Sequence, residues 1–288
     1  MKTEKNPFDA LMPADMAHLA EETGVYKATK KQIQSFYLAI TAGVFISIAF
    51  VFYTTVTTGS ADMSYGMAKF VGGLAFSLGL ILVVICGGEL FTSSVLTTVA
   101  RASNRITTLQ LLKNWAVVYI GNFIGAILFV ICIWFAGQHM AAHGEWGINA
   151  MKIAQHKLHH TFSQAVFLGI LCNLMVCLAV WMTYSCRSAT DKIMVMILPV
   201  AMFVASGFEH CIANMFMIPM GILIHSFASP EFWTMTGINP DQFADLTTSN
   251  FIFNNLIPVT IGNILGGGLF VGMTYWFIHR RSELKKQA

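Results

Sequence analysis

The stretch Ala205-Ser206-Gly207-Phe208-Glu209-His210-Cys211-Ile212-Ala213-Asn214 decides the fold. It lies in the middle of an apolar run from Ile193 to Ile224, long enough to cross a membrane. A glutamate and a histidine side by side at bilayer depth are costly unless they face protein or water. Ser206-Gly207 favours a break there, with Pro199 and Pro219 on either side within one long helix. A weaker copy stands upstream at Cys86-Gly87-Gly88-Glu89-Leu90-Phe91-Thr92-Ser93-Ser94. Both copies set small residues before a glutamate inside an apolar span. The expectation is two broken membrane helices that meet at a pore, with His210 as its polar centre.

Composition agrees. Apolar residues make up 56% of the 288 and charged residues only 11%, against roughly 25% charged in a soluble domain. A net charge of +3 gives no reason to expect a nucleic-acid partner. Residues 1–30 are polar and lack the apolar core of a signal peptide. The six cysteines form no CxxC pair and fall in or beside apolar spans, so they read as buried thiols rather than a disulfide framework or zinc site.

Along the chain, residues 1–31 read as a cytoplasmic arm. Within it Pro13 to Thr23 is predicted to form a short helix, with Phe8, Leu11, Met12, Met16 and Leu19 on its apolar side and Gly24 as its stop. Six spans follow at about 34–58, 69–99, 108–137, 161–186, 192–226 and 250–279. The pore domain is set at 32–281 and a cytoplasmic tail at 282–288. Fourteen of the seventeen Lys and Arg, including Lys2, Lys5, Lys285 and Lys286, fall on the side of the termini; only Lys69, Lys152 and Lys157 face the other side. Both termini are therefore expected in the cytoplasm.

The halves 34–137 and 161–279 also resemble each other. Gly43 aligns with Gly169 at an offset of 126, Glu89 with Glu209 at 120, and Gly121-Asn122 with Gly262-Asn263 at 141. Three spans per unit turn the second unit over, so this is an inverted repeat with its site expected between the halves. The Gly-x-x-x-Gly spacing of spans three and six reads as close helix packing.

Several motifs carry a resemblance to a known family: Asn6-Pro7-Phe8-Asp9, Gly24-Val25-Tyr26-Lys27, Ala39-Ile40-Thr41-Ala42-Gly43-Val44-Phe45, Gly88-Glu89-Leu90-Phe91-Thr92, His156-Lys157-Leu158-His159-His160-Thr161-Phe162, Ala205 to Phe216, and Gly262-Asn263-Ile264. In this order they resemble the formate/nitrite transporter family, and its bacterial formate channels nearly end to end. The resemblance implies an all-α membrane protein with an aquaporin-like protomer, assembled as a homopentamer with a pore in each protomer. It implies a passive, pH-sensitive, bidirectional route for formate in the bacterial inner membrane, with no cofactor. It also implies pyruvate formate-lyase as a partner at the N-terminal arm. By position, His210 and Thr92 match the pore centre, and Leu80, Leu90, Phe76 and Phe203 the apolar constrictions on either side. Lys157 and Asn173 match polar residues of the outer vestibule, and Glu209 and Asn263 the groups that support the histidine. Gly88-Glu89 stands where relatives often carry an alanine or an aspartate, which preserves smallness and charge.

These residue types suit a small anion. Carrying a carboxylate into hydrocarbon costs of order 20 kcal/mol by the Born estimate. Helix N-termini at the breaks, the imidazole of His210 and the hydroxyl of Thr92 offer compensating donors. The neighbouring Leu and Phe would exclude hydrated ions. Passage as an anion and passage as the neutral acid after protonation at His210 both fit. Glu89 and Glu209 read as structural, capping N–H groups or orienting His210. A channel preferring nitrite or hydrosulfide is the alternative. An intramembrane enzyme built on His156, His159 and His160 is a third, weaker reading, and no nucleotide-binding motif supports a pump.

Overall fold

The computed structural model describes residues 9–287, with side chains described as far as 284. Lys2, Lys5, Asn6, Pro7 and Phe8, and the side chains of Lys285 and Lys286, lie outside the described residues. The chain is helical throughout the described part. In order it forms α1 (Pro13–Thr29), α2 (Gln32–Thr57), α3 (Tyr65–Cys86), α4 (91–102), α5 (Thr108–Phe135) and α6 (Glu145–Leu158). It continues as α7 (Phe162–Thr183), α8 (Ala189–Ala205), α9 (Cys211–Phe227), α10 (Pro230–Thr236) and a long α11 (248–287) with stretches of π-helix. Five helical segments are long and apolar enough to cross a bilayer: α2, α3, α5, α7 and the segment Pro240–Leu284. The fifth predicted span is instead the pair α8 and α9, and the second extends past its break as α4.

Both breaks have the same local cause. Gly87 and Gly207 take left-handed backbone, φ 88° and 73°, which glycine adopts without a Cβ penalty. Gly88 N–H and Phe208 N–H each reach back five residues, to Val83 and Phe203 carbonyls, closing the preceding helix in the Schellman manner. Leu90 and His210 are then extended, and the next helix starts one residue later. Pro199 and Pro219 sit inside α8 and α9 rather than at the break.

The inverted repeat is visible in matching hydrogen bonds. Glu89 N–H donates to Leu38 O and Glu209 N–H to Leu168 O. Asn122 Nδ2 donates to Ala39 O and Asn263 Nδ2 to Gly169 O. These pairs put the first and fourth spans at an offset of 130, and the burial pattern along residues 21–49 recurs unchanged along 151–179. The sequence offset of 126 is thereby corrected. It matches Gly43 to Gly169, which stand about one helical turn out of register. Each is a close-approach glycine, Gly43 against Asn122 and Gly169 against Val259 and Gly262. The offsets of 120 and 141 hold.

A Cβ at Gly125 would fall on the Ile40 carbonyl and one at Gly266 on the Ile170 carbonyl, so these glycines set the α2–α5 and α7–α11 contacts. Backbone cannot yield as a side-chain tip can. Gly125→Ala and Gly266→Ala are each expected to cost about 1–3 kcal/mol, read as a lowered unfolding midpoint in detergent. Gly66→Ala, with nothing within 4 Å of the new methyl, should leave it unchanged.

Helix α1 departs from the expected short helix. It runs through Gly24, where a Cβ would stand 2.9 Å from the Ala100 Cβ; that glycine serves packing, not termination. The buried face carries Ala17, Ala20, Gly24 and Ala28, while Met12 and Leu19 are exposed. Buried Glu21 fixes the helix: its carboxylate accepts from Arg280 Nε at 2.9 Å, Ser103 Oγ at 2.5 Å and Arg105 Nη1 at 2.9 Å. Burial by itself would raise the pKa of Glu21, but the bonds from Arg280, Ser103 and Arg105 outweigh it and hold the group below 4.5. A depressed carboxylate stabilises fully above its unfolded value and loses that contribution as pH falls through the folded one. Hydrogen-exchange protection factors of α1 should therefore hold at pH 6 and fall at pH 3.5, and the fall should vanish in Glu21→Gln.

Candidate functional site at the two breaks

The repeat brings the two breaks together in the buried interior. His210 Nε2 lies 3.0 Å from Thr92 Oγ1, joining the N-terminus of α9 to that of α4. His210 is also the N-cap of α9: its Nδ1 accepts from Ala213 N–H at 3.1 Å. A ring nitrogen that accepts carries no proton, so in the neutral ring the hydrogen sits on Nε2. That hydrogen points to Thr92, whose own hydroxyl hydrogen is then available to a third group. Protonating Nδ1 would set two N–H donors face to face.

On one side of this pair lies a cavity of about 240 Å³, with Phe76, Phe203, Glu209 and His210 in its wall and Lys157 among its lining. On the other lies a void of only about 10 Å³, enclosed by Ile46, Phe76, Leu80, Leu90, Phe203 and His210 with two valines. The four apolar candidates thus gather around His210. Phe76 and Phe203 line both spaces, and Leu80 and Leu90 only the narrow one. The rings stack in series: His210 on Phe203 at 6.1 Å, Phe203 edge-on to Phe76 at 6.0 Å, and Phe76 edge-on to Phe50 at 5.4 Å. The repeat offset of 120 makes Leu90 the counterpart of His210, so the first break presents an apolar side chain where the second presents an imidazole.

Glu209 does not touch the His210 ring and caps no helix. Its Oε1 accepts from Lys157 Nζ at 2.9 Å, and its Oε2 from Asn214 at 2.6 Å and Asn255 at 3.1 Å. The capping expected of the glutamates is done by asparagines instead. Asn263 Oδ1 accepts from Cys211 N–H at 2.9 Å, and Asn122 Oδ1 from Phe91 N–H at 2.9 Å. The first N–H of each half-helix is therefore already bonded, which narrows the donors expected for an anion to His210, Thr92 and the remaining turn. Glu89 pairs with Lys30, its second oxygen lacking a partner among the described residues. Nearby, burial holds the Lys27 ammonium below its ordinary range; its Nζ lies 3.4 Å from Ser94 Oγ.

Asn173 is not at the vestibule. It is fully buried behind the break, donating to Thr92 O at 3.0 Å and Asn263 O at 2.6 Å, with Cys177 Sγ on the same Thr92 carbonyl. Its placement there is a correction: residue 173 pairs with Gly43 in the repeat, deep in the helix contact. Asn114 and Asn255 have no part in the sequence reading, and Asn214 enters it only as the end of the decisive stretch. The signal was present, because Asn114 and Asn255 share the 141 offset of Asn122 and Asn263, and both donate to a lysine carbonyl, Lys27 or Lys157. The histidine cluster does not converge. His156 and His160 meet edge-on at 5.3 Å, while His159 Nε2 turns to Asp245 Oδ2 at 2.6 Å. No group of three metal-binding side chains occurs among the described residues.

The formate/nitrite transporter family model matches residues 14–277. The chain belongs to that family. The formate channel FocA of Escherichia coli strain K12 is 67% identical over 96% of this chain and 98% of its own length. The formate channel FocA of Haemophilus influenzae is 56% identical over 92% of this chain and 93% of that protein. A solved structure described as a pentameric formate channel with formate bound shares 64% identity and a TM-score of 0.83, over 86% of this chain and 97% of that one. A chain described as a formate/nitrite transporter family ion channel, 23% identical, shares the fold with a TM-score of 0.77. Members of the formate/nitrite transporter family such as these are channels and transporters rather than enzymes, and the chain is a multi-pass membrane protein of that kind.

Proposed function

We propose that the chain is a passive, pH-sensitive, bidirectional channel for formate and similar small monovalent anions. The observation that carries this is the 3.0 Å contact of Thr92 and His210 across the two breaks, set between a wide cavity that holds Lys157 and Glu209 and a narrow apolar void. The identity to proteins named formate channels supports formate as the substrate. In this reading the wide cavity opens away from the termini, and Lys157 with Glu209 forms its polar wall. Formate gives up water at the Phe76–Phe203 ring and receives hydrogen bonds from His210 Nε2–H and the Thr92 hydroxyl. It then crosses the Leu80–Leu90 constriction, which opens by side-chain rearrangement and otherwise stays dry. The neutral tautomer of His210, with Nδ1 accepting from Ala213 N–H, favours passage of the anion near neutral pH. Transfer of the Nε2 proton to formate requires Nδ1 first to take a proton from the solution and give up that bond, which confines the step to acid conditions.

The bacterial inner membrane is proposed as the protein's location, and the asymmetry of its Lys and Arg supports both termini in the cytoplasm. Residues 32–281 form the pore domain, 1–31 the arm and 282–288 the tail. A homopentamer is proposed from the likeness to a pentameric channel, with lipid at its outer surface, and pyruvate formate-lyase is proposed as the partner of the arm. The test is stopped-flow uptake into proteoliposomes of formate, acetate, nitrite and hydrosulfide at matched concentration. Formate should be fastest. A clear preference for nitrite or hydrosulfide would replace formate with that anion.

A further inference from the structure

The only three lysines on the side away from the termini, Lys69, Lys152 and Lys157, all line the wide cavity. One carboxylate, Glu209, lines it with them, which leaves the wall a surplus of two positive charges. His156 adds nothing at neutral pH, since burial, His160 and Lys157 hold its pKa below the ordinary value. Lys157 is committed to Glu209 at 2.9 Å. Lys69 stands over the Tyr65 ring at 5.7 Å, and neither it nor Lys152 has an acidic partner among the described residues. Lys152 also lines the adjoining cavity that contains Glu145, without an ion pair to it among the described residues, so it stands between the two spaces.

A concave, low-dielectric wall with surplus positive charge concentrates anions and favours the more highly charged ones. The floor has the opposite preference. Beyond Phe76, Phe203 and His210 the space is about 10 Å³ and apolar, and the Born cost of entering it rises with the square of the charge. A small dianion is thus drawn in more strongly than formate and cannot follow it through. We propose that the cavity is a binding site for small divalent oxyanions of the sulfate and short-dicarboxylate class, held by Lys69 and Lys152, and that an occupied site stoppers the pore from this side. The stoppering rests on the channel reading; the binding does not.

The experiment titrates sulfate against formate uptake in proteoliposomes, with ionic strength held fixed by gluconate so that general screening is constant. Sulfate should inhibit the native protein. In the double variant Lys69→Gln, Lys152→Gln the half-inhibiting concentration should rise at least tenfold, each variant's sulfate-free uptake being its own reference. Lys152→Arg, which keeps the charge, should retain the block. Uptake indifferent to sulfate, or a double variant blocked at the native concentration, overturns the proposal. Should the native protein pass no formate at all, the channel reading fails alone. Calorimetric titration of sulfate into the detergent-solubilised protein then decides: heat present in the native chain and lost in the double variant upholds the site, and no heat removes it.

Discussion

His210→Ala is expected to lower formate flux in proteoliposomes at least tenfold near neutral pH and to flatten its pH profile between pH 5 and 8, with the protein still folded and assembled. The size follows from the two bonds of the ring. Its Nδ1 caps α9 by accepting from Ala213 N–H, and losing a cap costs about 1 kcal/mol, which a packed interior tolerates. Its Nε2 faces Thr92 at the junction of the breaks. A hydrogen bond to a charged group is worth about 1.5–3 kcal/mol, or roughly 10- to 100-fold in rate if the anion makes it only at the constriction. His210→Asn separates the roles. Asparagine is a good N-cap but too short to reproduce the Nε2 donor, so it should restore stability and leave flux low. Flux unchanged across this pH range in His210→Ala would remove the imidazole from the mechanism.

The same residues show why the sequence revealed the site more readily than its supports. Gly207, Glu209 and His210 conflict with an apolar span, and such a conflict is visible without coordinates because the bilayer penalises it. Hydrophobic length placed the spans, since twenty or so apolar residues have few other uses. Register was harder. Gly43 and Gly169 both sit where a neighbouring backbone approaches, yet one turn apart in the repeat, and a glycine's spacing alone carries no turn number. Gly24 misled for the same reason: a helix stop and a packing contact leave the same letter in the chain. The asparagine clips were only partly legible, Asn263 as a support of the histidine and Asn122 as its repeat partner. A polar residue inside a span reads as a pore candidate, whereas Asn122 and Asn263 each bond two backbone groups freed by a break and one carbonyl of the adjacent α2 or α7. Only knowledge that the breaks and the third and sixth spans touch turns those letters into caps.

The largest loss of stability is expected at Glu209. Both of its oxygens are fully engaged in the interior, by Lys157, Asn214 and Asn255, and its side chain is almost wholly shielded from solvent. Removing one partner of a buried pair leaves the other charge unneutralised and costs about 3–5 kcal/mol. In Glu209→Gln the new amide NH₂ must also replace one acceptor oxygen, so it meets either the lysine or the two asparagine donors. The unfolding midpoint in detergent should drop sharply. Adding Lys157→Met removes the stranded ammonium, so the double variant should recover much of the loss. The repeat supplies the comparison. Glu89 holds the equivalent place but, among the described residues, has one oxygen without a partner and pairs with Lys30 alone, so Glu89→Gln should cost less than Glu209→Gln. Equal losses at the two glutamates, or a double variant no more stable than Glu209→Gln, would mean that the carboxylate network is not what holds the second break, and that Asn263 bonding both Glu209 O and Cys211 N–H suffices.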